Sequence, residues 1–328
     1  MITSSIKSPK VSIGIPVYNG EKYLEFAIDS LIKQSFQDFE IIICDNASTD
    51  KTEEICRSFQ SQDERILYHR NSVNIGAANN YKKVFQLAKG QFFKWMAHDD
   101  RCSVNYLEEC VRVLEDDPDI VMSFPRFVLI DENDNPFPLI DKNTYVVPEG
   151  RIITTNLQRN FMSVHPSKRY WEVLYRTTEC YEFFGLSRRN IIEQTSQHDA
   201  FYGSDKVLLC ELAIMGKIKE VPNATGYFRI HAEQSQSLKS SKERAEWISP
   251  DLNYGAFMSR VKCLQGYYHS IFAYPIFLSE RFKCLWTLIV WSINLSNWQS
   301  MLREVLRLKL NLEEPIQNAG DQAKQGLS

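Results

Sequence analysis

Residues 11–50 read VSIGIPVYNGEKYLEFAIDSLIKQSFQDFEIIICDNASTD. Val11 to Val17 is a short apolar run rich in β-branched side chains, closed by Asn19-Gly20, the pattern of a buried strand followed by a turn. From Glu21 to Ser35, Leu24, Ala27, Ile28, Leu31 and Ile32 recur at helical spacing, so an amphipathic helix packs one stripe on a sheet. Phe39 to Cys44 is again apolar throughout, as a strand covered on both faces requires. Asp50, with Glu53 three positions on, has the spacing of a capping box and predicts a helix from about Lys51. Outward from this stretch the alternation continues. Arg65–His69 reads as a strand, Ala77–Ala88 as a helix, Gln91–Ala97 as a strand running into His98-Asp99-Asp100, and Ser103–Glu115 as a helix. The order predicts an α/β protein with a doubly wound, mainly parallel sheet.

Composition narrows the partners. The 328 residues carry 38 Lys and Arg against 41 Asp and Glu, a net charge of −3, without the basic excess that a nucleic-acid backbone demands. The eight cysteines are scattered through apolar runs without metal-ligand spacing and read as free buried thiols. The start, MITSSIKSPK, has no apolar signal core, so a cytoplasmic protein whose fold begins near Val11 is expected. The three N-x-[ST] matches, at Asn46, Asn223 and Asn294, are then chance. The most apolar stretch, Cys284–Leu295, is too short to cross a bilayer, which takes about 20 residues.

Ligands of open α/β sheets bind beyond the carboxyl ends of the strands. Three such ends carry polar clusters: Tyr18-Asn19, Asp45-Asn46 and Asp99-Asp100. No G-x-G-x-x-G or G-x-x-x-x-G-K-[ST] is present. Adjacent aspartates repel one another, and an oxygen-preferring divalent cation, Mg²⁺ or Mn²⁺, is one natural neutraliser; a helix N-cap is the other reading of the pair. Since Mg²⁺ is commonly shared between protein carboxylates and substrate phosphates, a nucleotide diphosphate is a sensible partner.

The regular alternation stops after Asp131–Pro138. Residues 139–180 mix aromatic and cationic side chains (His165, Lys168, Arg169, Tyr170, Trp171, Arg176), suited to an acceptor-facing surface or an ordinary helix rim. Ser204-Asp205 opens a helix, where the dipole keeps a carboxylate ionised, for capping or for chemistry. Gly226–Ile230 alternates as a strand ending at His231. From 238 onward the chain reads as helices. Their aromatics, with Arg281, Lys283, Arg303, Arg307 and Lys309, suit covering the core, a homodimer face or peripheral contact with a membrane.

Pro16-Val17-Tyr18-Asn19, Asp45 to Asp50, Asn74-Ile75-Gly76, Asn80 and His98-Asp99-Asp100 occur in the order and spacing of glycosyltransferase family 2, which residues 11 to about 135 resemble. The resemblance implies a GT-A fold, a nucleotide-sugar donor with UDP favoured, a metal, Mn²⁺ or Mg²⁺, and transfer with inversion. It places Pro16, Tyr18, Asn19, Asp45, Asn46, Gly76, Asn80, Asp99 and Arg229 at the donor. Within that set Tyr18 lies against the base, Asp45 bonds it, and Asp99 meets the ribose. It gives Asp100 and His231 to the metal, with His231 and Arg229 on a segment that closes over the diphosphate. The motif here is x-D-D, since His98 stands where a longer D-x-D has its first acid. Asp205 matches the general base of the family, whose usual acidic doublet is here Ser204-Asp205. The expected layout is a nucleotide-sugar-binding half (8–135), an acceptor and catalytic half (136–237), and a C-terminal helical region (238–328). The implied acceptor is a saccharide or lipid-linked sugar, met in the cytoplasm or at the inner face of the membrane. The competing readings are a nucleotidyltransferase, which would usually present a Lys or Arg in the first loop where Pro16–Gly20 has none, and an inactive nucleotide-binding module, against which Asp100 and Asp205 speak.

Overall fold

A computed structural model describes residues 8–155, 159, 161–238, 240–250 and 258–310. The expected alternation is present as β1 (Val11–Val17), α1 (Leu24–Ile32), β2 (Phe39–Asp45), α2 (Thr52–Gln62), β3 (Ile66–Arg70), α3 (Ala77–Leu87) and β4 (Phe92–Trp95). There follow β5 (Arg101–Cys102), α4 (Tyr106–Asp116), β6 (Ile120–Ile130), and a hairpin of β7 (Thr144–Val147) and β8 (Arg151–Thr154). The second half holds α5 (Pro166–Arg176), β9 (Leu186–Arg188), α6 (Arg189–Ile192), α7 (Ser204–Met215) and β10 (Lys217–Arg229). It ends in α8 (Ser241–Ile248), α9 (Ser259–Ala273), α10 (Leu278–Ile293) and α11 (Leu295–Leu310). Phe257 and Leu312, expected within the C-terminal helices, lie outside the described residues, as do the side chains of Arg307 and Lys309.

Eight strands form one sheet in the order β3-β2-β1-β4-β9-β6-β10-β5. β1 pairs in parallel with β2, from Val11 opposite Phe39 to Val17 opposite Asp45, and with β4 on its other side. β9 runs antiparallel between β4 and β6, and β5 antiparallel at the edge beside β10. Alternation along β1 feeds two cores. Ile13 and Ile15 pack with Leu24, Ile28 and Leu107 of α1 and α4. Gly14 faces the other way, where an added Cβ would sit 2.8 Å from Val84 of α3. The second core continues from α3 through Phe93 and Trp95 into α5, α7, α9 and α10.

Four expectations change. No capping box forms at α2: the Asp50 carboxylate accepts from the Thr52 N–H and hydroxyl and from the Glu21 N–H, while Glu53 pairs with Arg57. Asp50 therefore joins two loops instead of capping reciprocally. β6, which the sequence did not announce, pairs in parallel with the 13-residue β10. The 166–176 stretch is a helix, with Arg169 and Tyr170 facing inward. The Arg169 guanidinium donates to the carbonyls of Ala213 (2.7 Å), Ile214 (3.2 Å) and Ser163 (2.6 Å), closing the carboxyl end of α7, so this cation belongs to the core and not to an acceptor surface. Pro16 lies within β1 opposite Cys44, buried and without a polar side-chain atom to offer a ligand. The eight cysteines are buried and free of disulfides, as expected.

Gly76, ahead of α3, has φ +80°, and a Cβ there would lie 2.4 Å from the carbonyl oxygen of Ile248 and 2.6 Å from Cα of Ser249. It is a packing glycine under the end of α8. Gly76→Ala should lose about 2–4 kcal/mol of stability from backbone strain and overlap, read as a lower urea midpoint with unchanged slope.

Candidate active site

The strand order sets β1 between β2 and β4, so the loops after these three strands meet at one end of the sheet. Asn19 adopts a left-handed φ of +51°. Its N–H donates to the Ser48 hydroxyl at 2.9 Å, and its side-chain oxygen accepts the Thr49 N–H at 2.9 Å. The first two loops are thus laced together and Asn19 is a tie between them. Tyr18 projects from this edge, 46% exposed, with a ring free to meet a flat ligand.

Asp45 is fully buried. Its carboxylate accepts from the Ser48 N–H (2.8 Å), the Tyr68 hydroxyl (2.7 Å) and Arg70 (2.6 Å). The Asn46 oxygen accepts from Ile75 N–H and Asn71, and Asn71 donates also to Asn80, which itself donates to the Cys44 carbonyl at 2.7 Å. These asparagines satisfy one another beneath the loops. In this structure Asn46 and Asn80 are floor, and a base reaching Asp45 would compete with Tyr68 and Arg70.

Asp99 and Asp100 follow β4 and meet the end of β10. Asp100 Oδ1 accepts the Arg229 N–H at 3.0 Å, and Asp99 Oδ2 lies 2.8 Å from His231 Nε2. Burial opposes the charge on Asp99, but neighbouring His98 and the bond from His231 outweigh it and hold the carboxyl below its ordinary range. Burial and the adjacent Asp99 charge push Asp100 well above that range, partly offset by Arg229 and Lys94. Lys94 was not foreseen: it is a buried cation in β4, lying 4.5 Å from the Tyr106 ring centroid, and its only sequence signal is a charge inside QFFKWMA. The Arg229 guanidinium is 1% exposed and donates to the carbonyls of Asp99 and Asp131 and to the Asp134 carboxylate, over the Tyr23 ring. In this arrangement it braces the acidic loop.

Asp205 stands in the first turn of α7, where burial raises its carboxyl against bonds from the Lys206 N–H and the Cys180 thiol. Gly203 sets the turn with φ +96°, its Cα close against Cys263 of α9. Ser204 lies 3.4 Å from His198 Nδ1, and His198 stacks on Tyr81 with centroids 4.6 Å apart. Burial, then Lys82, lowers His198 to about 4, so it is neutral at physiological pH. The Tyr81 hydroxyl is raised first by burial and then by the charges of Asp99, Asp100 and Asp205. Tyr81 and His198 therefore join α3 to the start of α7, and neither stood out in the sequence because an aromatic and a histidine in helix and turn context usually serve packing. Glu179 also belongs here, its carboxyl raised by burial and by Asp205 against the pull of Arg151.

Among the described residues no three His, Cys, Asp or Glu side chains converge as a complete metal-ligand set. The desolvated Asp100 beside ionised Asp99, with a buried and unpartnered Nδ1 on His231, fits a cation that takes most of its ligands from elsewhere, such as substrate oxygens.

Residues 12–186 match the sequence profile of glycosyl transferase family 2. The Methanocaldococcus jannaschii protein MJ1057, described as an uncharacterized glycosyltransferase, is 31% identical over 168 residues, 51% of this chain and 57% of its own length. The chain thus spans little more than half of that relative. The Campylobacter jejuni GalNAc(5)-diNAcBac-PP-undecaprenol beta-1,3-glucosyltransferase is 24% identical over 301 residues, 88% of this chain and 89% of its own. The crystal structure of S. aureus TarS residues 1–349 with UDP-GlcNAc superposes with a TM-score of 0.62 over 91% of this chain and 80% of that one, at 13% identity. That likeness is one of fold, the GT-A arrangement expected from the sequence. Because the profile covers more than half of the 328 residues, from β1 to the start of β9, this chain belongs to glycosyl transferase family 2.

Proposed function

We propose that the protein transfers a sugar, with inversion, from a nucleotide-diphosphate sugar to a hydroxyl of a saccharide or lipid-linked acceptor. The observation that supports this reading is the acidic pair after β4, where Asp100 accepts the Arg229 N–H and Asp99 meets His231 from the end of β10, with a separate carboxylate, Asp205, in the first turn of α7. In this reading the donor site and the base face one cleft. UDP is the favoured nucleotide on the family resemblance. The lipid-linked acceptor is supported by the Campylobacter relative, whose name specifies an undecaprenol-linked substrate.

In this reading the base of the nucleotide lies on Tyr18, with Asp45 and its loop below. Asp99 meets the ribose. Asp100, with His231 beside it, would hold Mn²⁺ or Mg²⁺, which when bound neutralises the charge gathering on the departing diphosphate. Arg229 keeps both aspartates in place through its N–H and guanidinium. Asp205 accepts the proton of the acceptor hydroxyl. As the acceptor oxygen bonds to the anomeric carbon, the bond to the diphosphate breaks and its electron pair stays with the leaving group. Burial raises the Asp205 carboxyl, and a base nearer to neutral in affinity takes a hydroxyl proton more readily.

Asp205→Asn should cut transfer by about 10²–10⁴-fold, because Asn retains shape and capping but cannot take the proton. Nucleotide affinity should persist. Stability at neutral pH should not fall, since a carboxylate with a raised pKa opposes folding when ionised. In the wild type, transfer should decline as pH drops through the raised Asp205 value, above the usual carboxylate range, and the Asn variant should lose that limb; retention of more than half the wild-type rate would remove Asp205 from the mechanism. Asp100→Ala, assayed by calorimetry, should weaken binding of the nucleoside diphosphate and abolish its dependence on Mn²⁺. Unchanged affinity and unchanged metal dependence would overturn the assignment.

A further inference from the structure

Helix α10 buries Cys284, Leu288 and Trp291 against α5 and α9. Its other side carries Leu278, Phe282, Trp286, Ile289 and Ile293, spaced as one helical face, and Phe282, Trp286 and Ile293 are 62%, 68% and 70% exposed. The face runs on into α11 through Leu295 and Trp298. Scattered exposed apolar residues are normal on a folded protein, but a continuous band of this kind marks a contact surface.

We propose that this band is a membrane-contact face, seated in the interface of a bilayer that contains anionic lipid. Charge selects the occupant. No Lys, Arg, Asp or Glu occurs between Cys284 and Leu302, and residues 258–306 carry five cations, Arg260, Lys262, Arg281, Lys283 and Arg303, against two glutamates. Both glutamates are engaged within the protein. Glu280 is buried on Ser167 and Lys283, and Glu304 accepts the N–H groups of Arg260 and Val261. The chain as a whole is at −3, so this positive rim stands against the general balance. Lys283 is paired with Glu280, and a second copy related by a two-fold axis would bring the remaining four cations together with no spare carboxylate to meet them, whereas phosphate headgroups pair with cations of this kind. Tryptophans at 286 and 298 suit the headgroup level. None of the described helices is long and apolar enough to span, so the helices lie in the plane of the interface.

The face also leads to the cleft. α9 packs on α7, with Gly266 against Val207 and the Cys263 thiol donating to the Tyr202 carbonyl, directly below the turn that carries Asp205. The inference deepens the lipid-linked acceptor reading and rests on it for its purpose: a sugar anchored in the bilayer would be met by an enzyme already lying on that surface.

The test is flotation of the full chain with phosphatidylcholine vesicles and with vesicles of phosphatidylcholine and phosphatidylglycerol. The wild type should float with the anionic vesicles and less with the neutral ones. The double variant W286E/I293E, altered only at exposed positions, should bind the anionic vesicles at least about tenfold more weakly, with an unchanged circular dichroism spectrum and unchanged nucleotide affinity. Failure of the wild type to float with either vesicle overturns the proposal. So does a wild-type dimer in sedimentation equilibrium that W286E/I293E converts to monomer without change in vesicle binding. Flotation is independent of transfer: binding with no use of any lipid-linked acceptor would leave the face standing and remove that acceptor, and transfer to a lipid-linked acceptor without flotation would do the reverse.

Discussion

Two aspartates side by side at the end of a buried strand constitute the constraint on which the site depends. In isolation the pair would cost several kcal/mol through desolvation and mutual repulsion. The protein meets that cost from the far end of the chain. The last residue of β10 gives its N–H to Asp100 and its guanidinium to the Asp99 carbonyl, and His231 follows to pair with the Asp99 carboxylate. Closing this contact requires the β6–β10 pairing that carries the chain back across the sheet. The acidic loop thus also joins the first half of the fold to the second, and the two carboxylates leave it unequal: Asp99 is held ionised, and Asp100 is pushed toward the proton.

That inequality clarifies the x-D-D motif. The residue with the lowered affinity for a proton is the one already bonded to the His231 ring, while the one with the raised affinity accepts, among the described residues, only the Arg229 N–H. Arg229 shows the same economy of placement. A guanidinium near a diphosphate site invites a phosphate-binding role, yet every nitrogen of it is directed at Asp99, Asp131 or Asp134. Its charge still acts on the site, through the loop it fixes.

The first half of the fold was legible because strands and helices there obey simple periods: β1 and β2 are apolar throughout, and α1 keeps one stripe. The three strand ends carried polar residues at the edge where ligands of open α/β sheets bind, in the order and spacing of a known family, which is why Tyr18, Asp45, Asp99 and Asp100 could be singled out over capping and turn-closing roles. The second half was less legible. α5 buries Arg169, whose charge in sequence reads as surface, because two carbonyls at the end of α7 and that of Ser163 outweigh its desolvation; burial still lowers that guanidinium to about 10. β9 has three residues and joins the sheet between partners far apart in sequence, so Tyr181–Asn190 reads only as a strand or turn leading into a helix, with no sign of where it joins the sheet. Gly76, Asn46 and Asn80 belong to a recognisable motif, yet they serve the loops and the end of α8; order and spacing alone do not separate a motif's floor from its binding face.

The division between the halves has a mechanical reading. Donor-side residues are fixed by strands and a shared hydrogen-bond network, rigid in every direction. Asp205 is set instead by a left-handed glycine at the start of a helix, with α9 directly against it and α10 beyond. The Cys180 beside it also has a positive φ, +45°, which a non-glycine residue holds only when its surroundings enforce it. The orientation of Asp205 therefore depends on how the C-terminal helices pack, while the position of the two aspartates depends on the sheet. On the proposed reading, a change in those helices alters which acceptor hydroxyl reaches Asp205 without disturbing Asp99 and Asp100, and acceptor choice and donor binding fall to separate parts of one folded chain.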